Sequence, residues 1–278
     1  MNIENKTVLI SGANRGIGRA LMDEALRRGA KRIYAGSRGE QHHEDERVVF
    51  VNLDITDEWD VQKAAAAVQN LDILINNAGI FIPDDLGDTD IINRHLAVNF
   101  FGPLRVTQAF LPALVRSKGA IINNLSLSAL VPVASTPAYS ISKAAAHNLM
   151  QAFRALLSAR GVAVHSCFTG PVDTDMTRGF EVPKSPPGLV ASGIFDGFER
   201  GEEDIFPDPY SERFADRWRT GVIKVLEQEL PPTSRRRPRW LRTAVTTDIL
   251  FARERHWRAV RRKRLSTSCK ASESARDA

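Results

Sequence analysis

Cysteine is scarce: Cys167 and Cys269 are the only two in 278 residues. Two thiols that far apart build neither a disulfide framework nor a thiolate metal cluster, and the expected setting is a reducing cytoplasm. Histidine is thin as well. The six residues show no metal-ligand spacing: His42 and His43 sit in a charged stretch, while His95 and His147 fall in helical patterns. No metal is expected. Missing too is any apolar run near the length of about 20 residues that spans a bilayer. The first six residues are polar and lead straight into a β-branched run, so no signal peptide is expected.

What is present is alternation. Strand-like and helix-like patterns succeed each other through the first 230 residues, which argues for one parallel sheet of about seven strands with helices on both faces. The last strand falls near Asp204, Ile205 and Phe206. After Leu230 the composition shifts. Residues 231–278 carry fourteen Lys and Arg against four acids, a balance of +10, which leaves −5 for residues 1–230 out of the whole-chain +5. Two units are expected: an α/β domain over 1–230 and a basic C-terminal extension over 231–278.

Chemistry is concentrated in two places. Near the start, the run K-T-V-L-I (residues 6–10) is followed at once by S-G-A-N-R-G-I-G (11–18) and then by an apolar pattern at helical spacing that Gly29 closes. Strand, glycine loop and helix form the setting in which glycines let backbone approach a pyrophosphate, with the helix N-terminus meeting its charge. The spacing is G-x-x-x-G-x-G, not G-x-G-x-x-G. In the middle of the chain, Tyr139 and Lys143 stand four apart, on one face of a helix. A phenol titrates near pH 10, and an ammonium one turn away is expected to pull that value down toward working pH. Ser126 lies thirteen residues before Tyr139, where its hydroxyl could hold a substrate oxygen. Ser128 is a rival on the same face of a strand, and the thirteen-residue interval favours Ser126.

Together these motifs resemble those of the single-domain short-chain dehydrogenase/reductase family. Its nucleotide loop T-G-x-x-x-G-x-G matches residues 11–18 with Ser11 for Thr, its N-N-A-G matches residues 76–79, and its Ser, Tyr and Lys match Ser126, Tyr139 and Lys143. Its structural asparagine matches Asn99 in A-V-N-F-F-G. The resemblance covers roughly residues 5–230 and implies a Rossmann-type doubly wound fold. By resemblance, Tyr139 is the general acid or base of carbonyl reduction or alcohol oxidation. Lys143 contacts the nicotinamide ribose, Ser126 binds the substrate oxygen, and Asn99 holds a water leading to Lys143. Cofactor contacts are implied for Gly12, Asn14, Arg15, Gly16, Ile17, Gly18, Asn77, Ala78, Gly79, Tyr139, Lys143 and Val172. Asp54 matches a position against adenine, and Thr174 one against the carboxamide.

The second strand is followed by Ser37 and Arg38, with no acid until Glu40 to hold a ribose 2′-hydroxyl. Arg15 and Arg38 suit a 2′-phosphate, so NADP(H) is expected over NAD(H). One departure stands out: Thr169 replaces the proline usual before Gly170, and a looser cofactor loop is expected. Val131, Val133, Met176 and Phe180 are expected to bound a largely apolar carbonyl or alcohol substrate, beside the variable loop 177–187. A stripe of Ala145, Leu149, Ala152 and Leu156 follows the catalytic pair. In this family that helix and the one bearing Asn99 often pair subunits, which implies a homodimer or homotetramer.

For the extension three readings stand: nucleic-acid binding through phosphate contacts, an anionic membrane surface, or a disordered appendage. Its Ser-, Arg- and Ala-rich end has no clear amphipathic pattern, which favours the last. The rival reading of the whole chain is a nucleotide-sensing binding protein without turnover, using the tail to touch nucleic acid or an anionic surface.

Overall fold

The computed structural model describes residues 1–39 and 41–229. The basic extension, Cys269 included, lies outside the described residues. Seven parallel strands form one sheet in the order β3-β2-β1-β4-β5-β6-β7. They are β1 (Thr7–Ser11), β2 (Arg32–Ser37), β3 (Val48–Asn52), β4 (Ile73–Asn76), β5 (Ala120–Asn124), β6 (Ala163–Cys167) and β7 (Asp204–Ile205). The central strands are covered on both faces, and so Val8, Leu9 and Ile10 of β1 and Ile73, Leu74 and Ile75 of β4 are all excluded from solvent.

Six helices precede β7: α1 (Gly16–Arg27), α2 (Glu58–Ala67), α3 (Thr89–Leu96), α4 (Gly102–Ser117), α5 (Pro137–Leu157) and α6 (Pro187–Glu199). On one face, Leu21 and Met22 of α1 and Val190, Ile194 and Phe195 of α6 join Ile10, Ile75 and Ile122 in a single core. On the other, α4 lies against β4 and α5 against β6. After β7 come α7 (Pro209–Glu212), α8 (Ala215–Arg219) and α9 (Val222–Glu229). These last elements are tied to α5 by charge: Asp204, buried, accepts from Arg154 (2.9 Å) and Trp218 Nε1 (2.8 Å) and faces Lys224 at 3.0 Å. Burial alone would raise its carboxyl; the charges of Arg154 and Lys224 hold it below its ordinary value.

Strand order reverses between β1 and β4, since β2 and β3 lie to one side and β5 to β7 to the other. Such a reversal opens a crevice at the carboxyl ends of the strands, where open α/β sheets bind ligands. The glycine loop after β1, the N-N-A-G turn after β4 and the serine segment after β5 all leave the sheet at that edge.

Candidate active site

The glycine loop is built by close approach. Gly12 and Gly16 have φ of +68° and +55°, the left-handed region that side chains resist. At Gly18 the constraint is space: an added Cβ would stand 2.0 Å from the Gly12 carbonyl oxygen and 2.6 Å from Asn77 Nδ2. Asn77 Nδ2 donates to the carbonyls of Ser11 (3.1 Å) and Gly12 (3.2 Å), while the Ser11 hydroxyl accepts from the amides of Asn77 (3.0 Å) and Ala78 (3.1 Å). One hydroxyl thus stitches the two motifs together. Arg15 is at the N-cap of α1 and gives its first amides no side-chain bond. Those amides, beside exposed Asn14 and partly buried Ile17, remain for an anion, and the donor set fits a dinucleotide pyrophosphate.

Tyr139 and Lys143 share a face of α5, as their spacing requires. The Lys143 ammonium is 5.7 Å from the centre of the tyrosine ring and donates to the Asn124 carbonyl at 2.9 Å. Ser126 follows β5, its hydroxyl near enough to the Tyr139 phenol to favour the phenolate, while it donates to Ser128 Oγ at 3.2 Å. The rival, Ser128, is not on a strand: it lies in the 3-10 turn Leu127–Ala129, where its amide donates to the Ser126 hydroxyl at 3.2 Å. The chain turns before reaching it because β5 ends at Asn124. Asn99 lies in a π-turn (Ala97–Phe101) between α3 and α4. Its amide is committed, donating to Ile80 O and Ser142 Oγ (both 3.0 Å) and accepting from Ile80 N (2.9 Å).

The electrostatics differ from the sequence expectation. Burial pushes the Tyr139 phenol up to about 12, with the Ser126 hydroxyl opposing it only in part. The lysine does not pull it down. Burial pushes Lys143 itself down to about 8, and its ammonium is directed at the Asn124 carbonyl. Spacing alone shows two groups near each other; it does not show that both leave water. At neutral pH the phenol therefore carries its proton.

Three neighbours of Tyr139 were not marked by any motif. Phe81 packs edge-on against its ring at 5.2 Å and against Phe180 at 5.3 Å. His95 lies edge-on at 6.1 Å. Asp84 caps α5, accepting from the Ala138 amide at 3.2 Å on each oxygen, where the local N-cap Thr136 gives no side-chain bond. Only an apolar-then-acidic run after N-N-A-G hinted at them. Val131, Val133, Met176 and Phe180 are all exposed, from 39% to 61%.

The loop after β6 closes the other side. A Cβ on Gly16 would stand 3.3 Å from Thr174 Cγ2, so this loop touches the glycine loop. Val172 is buried and accepts from the Thr177 hydroxyl. A cavity of about 320 Å³ opens there, lined by Asp173, Thr174, Asp175, Arg178, Gly179 and Lys184. Thr169 is buried and donates its hydroxyl to Leu125 O at 3.2 Å, while its carbonyl accepts from Leu127 N at 3.1 Å. The loop expected to be loose for want of proline has a side-chain tie to the Ser126 segment instead. Thr169→Val should leave that buried carbonyl unpaired, costing about 1–2 kcal/mol in chemical denaturation and weakening cofactor binding; unchanged stability would deny the tie its role.

At the end of β2, Ser37 donates to Gly39 O at 2.9 Å, and Asp54 accepts from the Thr56 amide and hydroxyl at 2.8 and 2.7 Å. Burial would raise the Asp54 carboxyl, but those bonds and the charges of Arg38 and Arg105 hold it down. Arg38 is exposed beside it. Arg15 was expected at the same place, yet here it reaches across to Asp175 at 3.4 Å, which Arg178 also pairs. Among the described residues no cluster of His, Cys, Asp and Glu could hold a metal, and no helix is long and apolar enough to cross a membrane.

Comparison with known proteins gives a consistent result. Residues 6–183 match the family described as short chain dehydrogenase. The chain is 34% identical over 191 residues to the short-chain dehydrogenase virD of Hypocrea virens, covering 64% of this chain and 66% of that one. It is 32% identical over 219 residues to the short-chain dehydrogenase srdE of Neurospora crassa, covering 75% of each. The chain thus spans about two thirds to three quarters of these relatives' lengths. A crystal structure of a short-chain dehydrogenase from Burkholderia cenocepacia in complex with NADP superposes with a TM-score of 0.76 at 33% identity, covering 84% of this chain and all of that one.

Proposed function

Because the chain belongs to the short-chain dehydrogenase/reductase family of NAD(P)-dependent oxidoreductases acting on CH–OH and C=O groups, we propose that it interconverts a largely apolar carbonyl compound and its alcohol, with NADP(H) as cofactor and Tyr139 as general acid–base. One observation carries this reading: Tyr139 and Lys143 stand together on α5, the Lys143 ammonium 5.7 Å from the phenol ring, at the sheet's switch point beside a glycine cradle with uncapped helix amides.

The nicotinamide, when bound, supplies or takes the hydride. In reduction the carbonyl carbon gains that hydride and the oxygen gains the Tyr139 proton, so the C=O bond becomes CH–OH. Ser126 holds the substrate oxygen and stabilises charge as it develops. Lys143, held by Asn124, would contact the nicotinamide ribose. A water feeding Lys143 would rest near Asn99, whose amide is committed to Ile80 and Ser142. The exposed apolar side chains of Val131, Val133, Met176 and Phe180 suit an apolar ligand. Carrying cofactor deuterated at nicotinamide C4 into a panel of apolar ketones tests the reaction: the label should appear on the carbinol carbon of the product, and alcohol formed without label would sink it.

NADP(H) preference rests on the absence of an acid after β2, on Arg38 at the ribose end, and on the NADP that the Burkholderia relative binds. Arg38→Ala should weaken NADPH binding by about tenfold or more in calorimetric titration and leave NADH binding nearly unchanged. An equal loss for both cofactors would remove Arg38 from the 2′-phosphate. Arg15 belongs to the same reading, reached by leaving Asp175. The stripe on α5, with Ala145, Leu149 and Leu156 half-buried and Ala152 exposed, and exposed Phe101 before α4 support a homodimer or homotetramer.

A further inference from the structure

Two residues four apart, His95 and Asn99, hold the segment that leaves β4. Asn99 pairs with both backbone groups of Ile80. His95, with no exposed surface, accepts the Ile82 amide on Nε2 at 3.1 Å. Its Nδ1 lies 3.0 Å from Ile91 O. A carbonyl can only accept and an amide N–H can only donate, so these partners fix one state of the ring: neutral, with the proton on Nδ1. Between the two anchored residues stands Phe81, whose ring buttresses Tyr139 at 5.2 Å, and the His95 ring itself meets Tyr139 at 6.1 Å. Two residues further on, Asp84 caps the helix at Ala138, next to Tyr139.

We propose that His95 is a positioning residue for Tyr139, holding the loop after β4 so that Phe81 fixes the tyrosine ring, and that it does so only while neutral. The inference rests on Tyr139 being the acid–base residue. A protonated ring would present an N–H to the Ile82 N–H, two donors face to face, and the loop would have to let go. Burial, the largest influence, lowers the His95 pKa below its ordinary value; the Ile91 carbonyl and the Asp84 carboxylate favour its proton, and Arg94 opposes it. From α5 it meets Tyr139, uncharged at these pH values, with Lys143 turned toward Asn124. The π-turn (Ala97–Phe101) brings no charge. The neutral form is the working form, so kcat falls as pH drops through the His95 pKa, which burial holds below the ordinary histidine value.

The test compares the pH profiles of wild type, His95→Gln and His95→Leu with NADPH and a reducible apolar ketone. Gln can accept the Ile82 amide without titrating. It should keep kcat at pH 7 within about threefold and lose the acid limb, whereas Leu should lower kcat about tenfold at every pH with NADPH affinity unchanged. An acid limb identical in wild type and His95→Gln overturns the proposal, as does a folded His95→Leu enzyme with wild-type kcat. If the Leu variant does not fold, the Gln profile decides. A second readout needs no turnover: the Ile82 amide shift in nuclear magnetic resonance should titrate with the His95 ring, and an Ile82 amide indifferent to that titration overturns the proposal. That arm separates a failure at His95 from a failure of the Tyr139 reading, which Tyr139→Phe tests alone.

Discussion

Tyr139→Phe is expected to lower kcat by about a thousandfold while changing NADPH affinity by no more than about twofold. The substitution removes one oxygen and keeps the ring, so the edge contacts with Phe81 and His95 and the helix cap at Ala138 all survive. Ser126 still holds the carbonyl oxygen, but nothing beside it carries a proton. Lys143, down at about 8, is bonded to Asn124, so its ammonium points to the wrong side. Steady-state rates and calorimetric NADPH titrations on both proteins check this. Turnover near wild type would take the acid–base role away from Tyr139, and parallel loss of binding would make the residue part of the cofactor site instead.

Gly18→Ala is the second large effect. The added methyl would lie 2.0 Å from the Gly12 carbonyl oxygen and 2.8 Å from its carbon, contacts that backbone atoms cannot yield without moving the start of α1. The Asn77 bond to Gly12 O, at 3.2 Å, occupies the same space. The cradle should open, with NADPH binding lost by about a hundredfold or more and stability lowered by about 3 kcal/mol. Gly16→Ala offers a graded control. Its φ of +55° and its 3.3 Å approach to Thr174 Cγ2 predict strain of about 1 kcal/mol and weaker but measurable binding. Thermal unfolding and titration of the two variants measure the difference; a Gly18→Ala protein as stable and as tight-binding as wild type would contradict the packing described.

Much of this site could be read from the chain because its chemistry is local in sequence. The glycine loop sits between a strand and a helix that its own residues specify, and Tyr139 and Lys143 need only one helix to meet. The seven strands follow from short apolar runs between helical patterns. What escaped depends on distant contacts. Phe81, His95 and Asp84 gather at Tyr139 from segments more than forty residues earlier, and no spacing rule marks them. Asn99 was placed on a helix, but the π-turn that turns its amide onto Ile80 has no local signature. The direction of the tyrosine shift was misjudged for a similar reason: a charge four residues away is visible in the sequence, whereas the loss of water around both groups is visible only once the sheet edge closes over them. Arg15 shows the same limit, since its partner Asp175 comes from 160 residues further on.

The most direct test of the central claim is a titration of the full-length protein with NADPH and, in parallel, with NADH, followed by the emission of the reduced nicotinamide. A cradle of uncapped α1 amides with Arg38 at the ribose end predicts saturable binding of both and tighter binding of NADPH. Binding of neither cofactor would contradict the account at its base, however well the fold matches its relatives.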